Sequence, residues 1–409
     1  MAAVSNEPTE PDGSAPAGPP TDGSATDGPM TDYKVSSLEL FFDLVFVFAL
    51  TQVTGLLAED LTWAGMLRGI AVLAMVWWAW VGYAWLTNSI PIEDDDRSRI
   101  VVLLAMVAML IVGLSIPHAF GNDGILFGLS YLVVVLLFLT LYAVSARNEP
   151  DLLRAIRKLT PGVLAAPTLI AIAGFFDQGV VRATLWVVAL LITFIAPLVS
   201  GTSGWRVRPS HFAERHGLVV IIALGESLVA LGVAASSVPI SAGLLVAAGL
   251  GVAVVATMWW LYFDVVSLAA ERRLHQLTGA ARNALARDAY SYIHGLMVLG
   301  IVFVALGLKK AMFDLGDPMK QVPAVALLGG LAVYLLGHLL FRLRNIGSLN
   351  VARAVAAVVL LALIPVALVI PALSLLLVVT GVMFALVAYE GKSYAAIRQQ
   401  LRHPETSAS

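Results

Sequence analysis

The fold class this sequence predicts is all-α, a polytopic helical membrane protein, and three observations predict it. Hydrophobic residues make up 59% of the chain and charged residues 13%, with a mean hydropathy of +0.88; soluble domains carry charge on about a quarter of their residues. The apolar residues gather into runs of about 20, the length at which a helix crosses a hydrocarbon core of about 30 Å. Lys and Arg fall on alternate loops between these runs, as they do when membrane spans are counted correctly.

Twelve helices are expected, over 37–58, 63–87, 100–120, 124–146, 159–176, 180–200, 212–234, 242–269, 286–308, 322–342, 349–370 and 372–391. With the N-terminus inside, all but five of the 25 basic residues lie on the inner side, the exceptions being Arg68, Arg182, Lys309, Lys310 and Lys320. Both termini are therefore expected in the cytoplasm. Residues 1–33, including TDGSATDGPMTD, are too poor in apolar side chains to offset the entropy of ordering and are expected to form a solvated tail. They lack the basic and apolar regions of a signal peptide. Residues 395–409 are expected to form a short cytoplasmic tail. The net charge of -2 gives no ground for a nucleic-acid partner, and the absence of cysteine excludes disulfides and thiolate metal sites.

The membrane part divides into two expected halves, 34–206 and 207–394. A shift of 174 lays Leu44-Val-Phe-Val-Phe-Ala-Leu-Thr-Gln52 on Leu218-Val-Val-Ile-Ile-Ala-Leu-Gly-Glu226. The next helix of each half carries a tryptophan pair, in MVWWAW (75–80) and TMWWLY (257–262). The pattern predicts a parallel six-plus-six internal repeat, which in secondary transporters places a site between the halves near mid-membrane. Gly243, Ala247 and Gly251, and Gly330 and Gly337, are the expected close helix contacts. Pro161, Pro167, Pro197 and Pro365 fall inside spans, where a break either kinks a helix or lines a cavity.

Ionisable residues inside a bilayer face protein or water rather than lipid, so each is a candidate. Ser36-x-x-Glu39 before an apolar run reads as a capping box. Asp43, one turn further in, suits either an ion pair with Arg215 or a functional site. Gln52 and Glu226 lie about 12 Å into their helices, where an acid is either protonated or solvated by a cavity. They read as a proton-handling pair or as hydrogen-bonded glue. In HFAERHG (211–217), Arg215 shares a helical stripe with Glu226, and Glu214 and His216 flank it. Asp264, Asp288, His294 and His338 complete the candidates, and a vestibule open to the cytoplasm would account for them together. No His-x-x-x-His or His-Glu-x-x-His spacing supports a metal or haem site, no mid-helix lysine supports retinal, and no Gly-rich nucleotide loop is present. No cofactor is expected.

SSLELFFDLVFVFALTQ, HFAERHGLVVIIALGES and MWWLYFD resemble the bacterial low temperature requirement protein A family over residues 34–400. The resemblance implies a multi-pass inner-membrane protein named for growth in the cold, and supplies no catalytic residues. It marks Glu39, Asp43, Glu214, Arg215, His216, Gly225 and Glu226 as members of the family's characteristic stretches. The leading functional expectation is a secondary transporter of a small solute, coupled to protons through Glu226 with Gln52 as its partner, and with Asp43, Arg215 and His216 as an inner gate. The alternatives are a membrane-embedded enzyme or envelope-maintenance protein acting on lipid, and a sensor or scaffold.

Overall fold

The computed structural model describes residues 34–90, 95–395 and 398–399; the expected solvated tail lies outside them. Helices begin where the sequence supplies caps. Ser36 and Glu39 form the expected capping box at the start of α1 (Ser37–Glu59). Thr62 caps α2 (Trp63–Ser89) and Asp95 caps α3 (Asp96–Ser115), each side chain accepting a first-turn amide. α4 (Gly124–Ser145) follows a short turn. Pro150 opens α5 (Pro150–Ala173), where the missing amide proton has no helical partner to lose. Arg154, Arg157 and Lys158, expected in a loop, therefore lie on the first turns of α5. α6 (Val180–Ser200) completes the first six.

The second six begin with α7 (Pro209–Ser236), again opened by proline, and α8 (Ala242–Phe263), capped by Ser241. The span expected to run to residue 269 ends instead at Asp264, and a separate amphipathic helix, α9 (Val266–Gln276), follows. The next crossing starts earlier than expected: α10 (Gly279–Leu285) runs through a π-helical turn at Ala286–Ile293 into α11 (His294–Ala311). α12 (Gln321–Ile346) ends at Gly347, whose left-handed backbone (φ 75°) terminates the helix. The expected span 349–370 is short and broken into α13 (Val351–Ala362) and α14 (Ile364–Ala367), with Pro365 at the break. α15 (Ala372–Ser393) closes the set. Eleven helical segments among the described residues are long and apolar enough to cross a membrane, and Val351–Ala367 is the shorter twelfth. Its two ends lie at opposite faces of the bundle. Arg353 pairs with Glu390 near the end of α15, whereas Pro318 and Pro371 bridge at the start of α12.

Within the first six helices, α1 packs on α2 and α3, α3 on α4, α4 on α5, α5 on α6, and α6 returns to α2. The later helices pack in the same order: α7 on α8 and α11, α11 on α12, α12 on α13, α13 on α15, and α15 on α8. Lipid gives no hydrophobic push between helices, so close approach depends on small residues. The α11–α12 contact is one such case. A Cβ added to Gly300 would stand 2.7 Å from the Gly330 carbonyl oxygen, and one on Gly337 would meet the Met297 side chain at 2.6 Å. Gly330 and Gly337 thus fill the contact role expected of them, and so does Gly251, where a Cβ would lie 2.2 Å from Leu231. Gly243 does not, since its nearest neighbours are 3.9 Å away or more.

Gly300→Val should separate α11 from α12 and destabilise the protein by about 1–3 kcal/mol. Gly55→Ala, where no atom lies within 4 Å, serves as the control. Thermal melting in detergent should show a clear drop for the first variant and a near-wild-type midpoint for the second.

Candidate functional site

α1 and α7 lie side by side and parallel, and three polar contacts between them keep a nearly constant offset. Glu39 meets His211, Asp43 meets Arg215, and Thr51 meets Glu226, at separations of 172, 172 and 175 residues. The eleven residues from Arg215 to Glu226 return to the same helical stripe, so one face of α7 presents both groups to α1.

The charges are sealed at the end of the bundle where both helices begin. Arg215, fully buried, donates from Nη1 to Asp43 Oδ2 at 2.9 Å, and its Nε lies 3.8 Å from Glu39 Oε1. The Trp80 indole donates to the other Asp43 oxygen at 2.9 Å, while the guanidinium carbon sits 5.7 Å from the centre of the Trp80 ring. His211 Nδ1 lies 3.0 Å from the Asn88 amide nitrogen, so it accepts there, and Nε2 carries the proton shared with Glu39 Oε2 at 3.1 Å. Asn88 in turn accepts from the Arg208 backbone amide at 2.9 Å. Glu39 is therefore both the expected cap and a member of a buried charge cluster. Asp43 finds the Arg215 partner that the sequence suggested.

Toward the interior this cluster meets a packed core of histidines and tyrosines. The His216 ring stands edge-on to Trp80 at 5.0 Å, donates from Nδ1 to the Phe212 carbonyl, and has no hydrogen bond at Nε2. The Tyr290 ring stacks on His294 at 5.1 Å and presents a buried hydroxyl with no partner. His294 Nδ1 donates to the Ala289 carbonyl, which leaves Nε2 to accept from the Tyr262 hydroxyl at 2.8 Å. His338 packs edge-on to Tyr334 at 4.6 Å with neither ring nitrogen bonded. The π-helical turn at Ala286–Ile293 presents Tyr290 to this core, a distortion that recurs at functional sites.

Glu226 lies deeper along the seam. Its Oε2 is 2.5 Å from Thr51 Oγ1, and Thr51 also bonds the Val47 carbonyl at 3.2 Å. Thr54 flanks the acid and bonds the Leu50 carbonyl at 3.1 Å. The expected partner, Gln52, is replaced by its neighbour Thr51, because one residue along a helix turns a side chain by about 100°. The remaining candidates do not join one vestibule. Asp264 pairs with Arg398 at 2.7 Å, which anchors the described part of the C-terminal stretch. Asp288 lies between Arg287 and Arg344. Glu214 is exposed at the start of α7 and accepts the Val35 amide. His294 and His338 belong to the buried core.

Sequence reasoning missed several participants. His211 sits one turn before Arg215, a spacing that could have drawn attention to it. Trp80 and Thr51 gave no signal, since a tryptophan in a span ordinarily packs and a threonine ordinarily bonds its own helix. A second buried ion pair was missed as well: Arg353 grips Glu390 through two 2.7 Å hydrogen bonds, and Asn350 adds a third contact at 2.8 Å. Two cavities complete the geometry. One, of about 110 Å³, is apolar, walled by aromatic rings of α2 and α4, and bordered by Pro167 and Pro197, which lie inside the unbroken helices α5 and α6. The other, of about 330 Å³, opens beside Glu214 between α7, α9 and the π turn.

Fold and site together define a multi-pass membrane protein with a buried charge cluster sealed in the seam between two parallel helices. The chain belongs to the bacterial low temperature requirement A protein (LtrA) family, which it matches over residues 34–388. An uncharacterized protein of Rhizobium meliloti (strain 1021), RA0937, is 29% identical to it over 319 residues, covering 74% of this chain and 76% of the relative. No solved structure matches the chain.

Arg215→Met should leave Asp43 buried without its cation and destabilise the protein by about 3–5 kcal/mol. Adding Asp43→Leu should restore part of that loss, because replacing both partners removes the stranded charge. A double-mutant cycle of melting midpoints in detergent checks this; additive losses would place the pair outside the seam's energetics.

Proposed function

We propose that this protein is a secondary transporter of a small solute, coupled to protons through Glu226. One observation carries the reading. Thr51 has a single hydroxyl proton yet bonds both the Val47 carbonyl and the Glu226 carboxyl. Both bonds are satisfied together when Glu226 carries a proton. Thr54, whose hydroxyl proton is likewise given to its own helix, fits the same arrangement. Loss of the proton would then strand a carboxylate among acceptors, so deprotonation and movement along the seam are linked. A carboxylic acid held this way takes up a proton in one arrangement of the helices and releases it in another.

The matching order of helix contacts in the two halves, together with the offset of 172–175 residues across the seam, supports the internal repeat and a site between its halves. In this reading Asp43, Arg215 and His216 form the gate at the end where α1 and α7 begin. The distribution of basic residues supports a cytoplasmic position for that end, and in this reading the spans lie in the inner membrane. A second reading, action on lipid, draws support from the apolar cavity bordered by Pro167 and Pro197, since an acyl chain suits its aromatic walls.

Reconstituted protein under an imposed pH gradient, challenged with pooled solutes, should show solute-dependent proton flux. Glu226→Gln should reduce it at least tenfold while leaving the melting midpoint close to wild type. Absence of flux in folded protein, or full flux in the variant, would overturn the coupling.

A further inference from the structure

The cavity of about 330 Å³ is separate from the Glu226 contact and has a chemistry of its own. Tyr262, Phe263, Tyr290 and Phe341 supply aromatic surface, and Glu214 and Glu271 supply two carboxylates. Among the described residues neither carboxylate has a cationic partner: Glu214 accepts only the Val35 amide, and Arg272 and Arg273, which follow Glu271 in α9, do not line the cavity. Tyr290 adds a third feature to the wall. Tyr290 is 1% exposed, lines the cavity, and its buried hydroxyl has no hydrogen-bond partner. A buried unpaired hydroxyl loses stability unless something fills the role. Its ring is fixed by stacking on His294 and by the edge-on Phe341 at 5.4 Å, so the hydroxyl cannot turn away to find a partner elsewhere.

We propose that this cavity binds a small alkylammonium cation, with its charged head against Glu214 and Glu271, its carbon groups against the aromatic rings, and a polar atom of the ligand meeting the Tyr290 hydroxyl. Aromatic faces attract weakly hydrated organic cations. A hard metal ion would call for a compact set of oxygen ligands, and the described residues contain no group of three ligating side chains placed to hold one. Leu218 and the half-exposed Ile221 continue the wall away from the carboxylates along α7. The ammonium group therefore has two sources open to it: a soluble amine entering at Glu214, or an amine-bearing lipid headgroup whose chain follows that apolar wall.

The test uses full-length protein in phosphatidylglycerol nanodiscs, which contain no amine, titrated calorimetrically with choline, with ethanolamine, and with the uncharged tert-butyl isostere of choline. Saturable binding of the cations and not of the isostere is expected. Glu271→Gln and Glu214→Gln should each weaken it by about tenfold, a loss of about 1.4 kcal/mol. Tyr290→Phe, which removes only an unpartnered hydroxyl, should melt at or above the wild-type midpoint without ligand and bind more weakly than wild type. Repeating the ethanolamine titration with phosphatidylethanolamine added identifies the source: competition assigns the site to the lipid headgroup, and an unchanged affinity assigns it to a soluble amine. Equal binding of the isostere, no saturable binding, or carboxylate variants with wild-type affinity would overturn the proposal. Transport is not required for any of these readouts, so their outcome is independent of Glu226.

Discussion

The interaction on which the rest of the bundle depends is the burial of Arg215 between two carboxylates of α1. A guanidinium removed from water must be matched by geometry, because the desolvation penalty is comparable with the attraction that offsets it. That requirement fixes more than a pair. With α1 and α7 parallel and in this register Asp43 holds Arg215 through one oxygen, and its second oxygen is free for the Trp80 indole, which ties α2 to the pair. Glu39 is held by its own capping box and by His211, and His211 is held by Asn88 at the end of α2. Three helices from two halves of the chain are therefore joined by one sealed network.

The bundle is held unevenly. α11 and α12 are pressed together through Gly300, Gly330 and Gly337, and their contacting surfaces are largely buried. α6 is different: most of its surface is left exposed by the bundle, and its neighbours are α5 and α2. Its one deeply buried cation, Arg182, donates to the carbonyls of Phe120 and Ala173 and so secures the end of α5 rather than the middle of the bundle. The apolar cavity lies between α6 and the aromatic wall of α2.

The helices were largely legible in the sequence because apolar length and loop charge are properties of single segments. What the sequence obscured lies where segments interact. The break at Pro365 shortens a span whose composition reads as continuous, and the π turn before His294 leaves no trace in the apolar pattern because one extra residue per turn changes no residue type. The same holds in the site. Asp43 and Arg215 could be paired from sequence since each is conspicuous in its helix. Thr51 could not be preferred to Gln52, because the choice depends on the rotation of α1 about its axis, set by packing against α3 and α7. Arg353 and Glu390 lie near helix ends, where a charge reads as an ordinary boundary residue, although both are buried.

The two halves pack in one order but carry different chemistry at matching positions. Trp77 is buried and bonded, whereas Trp259, its match when TMWWLY is laid on MVWWAW, is half exposed on the surface of α8. Trp80 gives its hydrogen bond to Asp43 on α1, while Tyr262, which falls on Trp80 when TMWWLY is laid on MVWWAW, gives its own to His294 on α11. Across the seam the asymmetry recurs, with both carboxylates of the charge cluster on α1, its arginine on α7, and the lone deep acid also on α7. A symmetric pair of acids would repel across a low-dielectric seam, and a symmetric pair of arginines would do the same. Under the proposed duplication, the halves had to diverge at these positions for the seam to close at all. Opposite charges at one end and an acid facing a hydroxyl at the other are a stable outcome of that constraint.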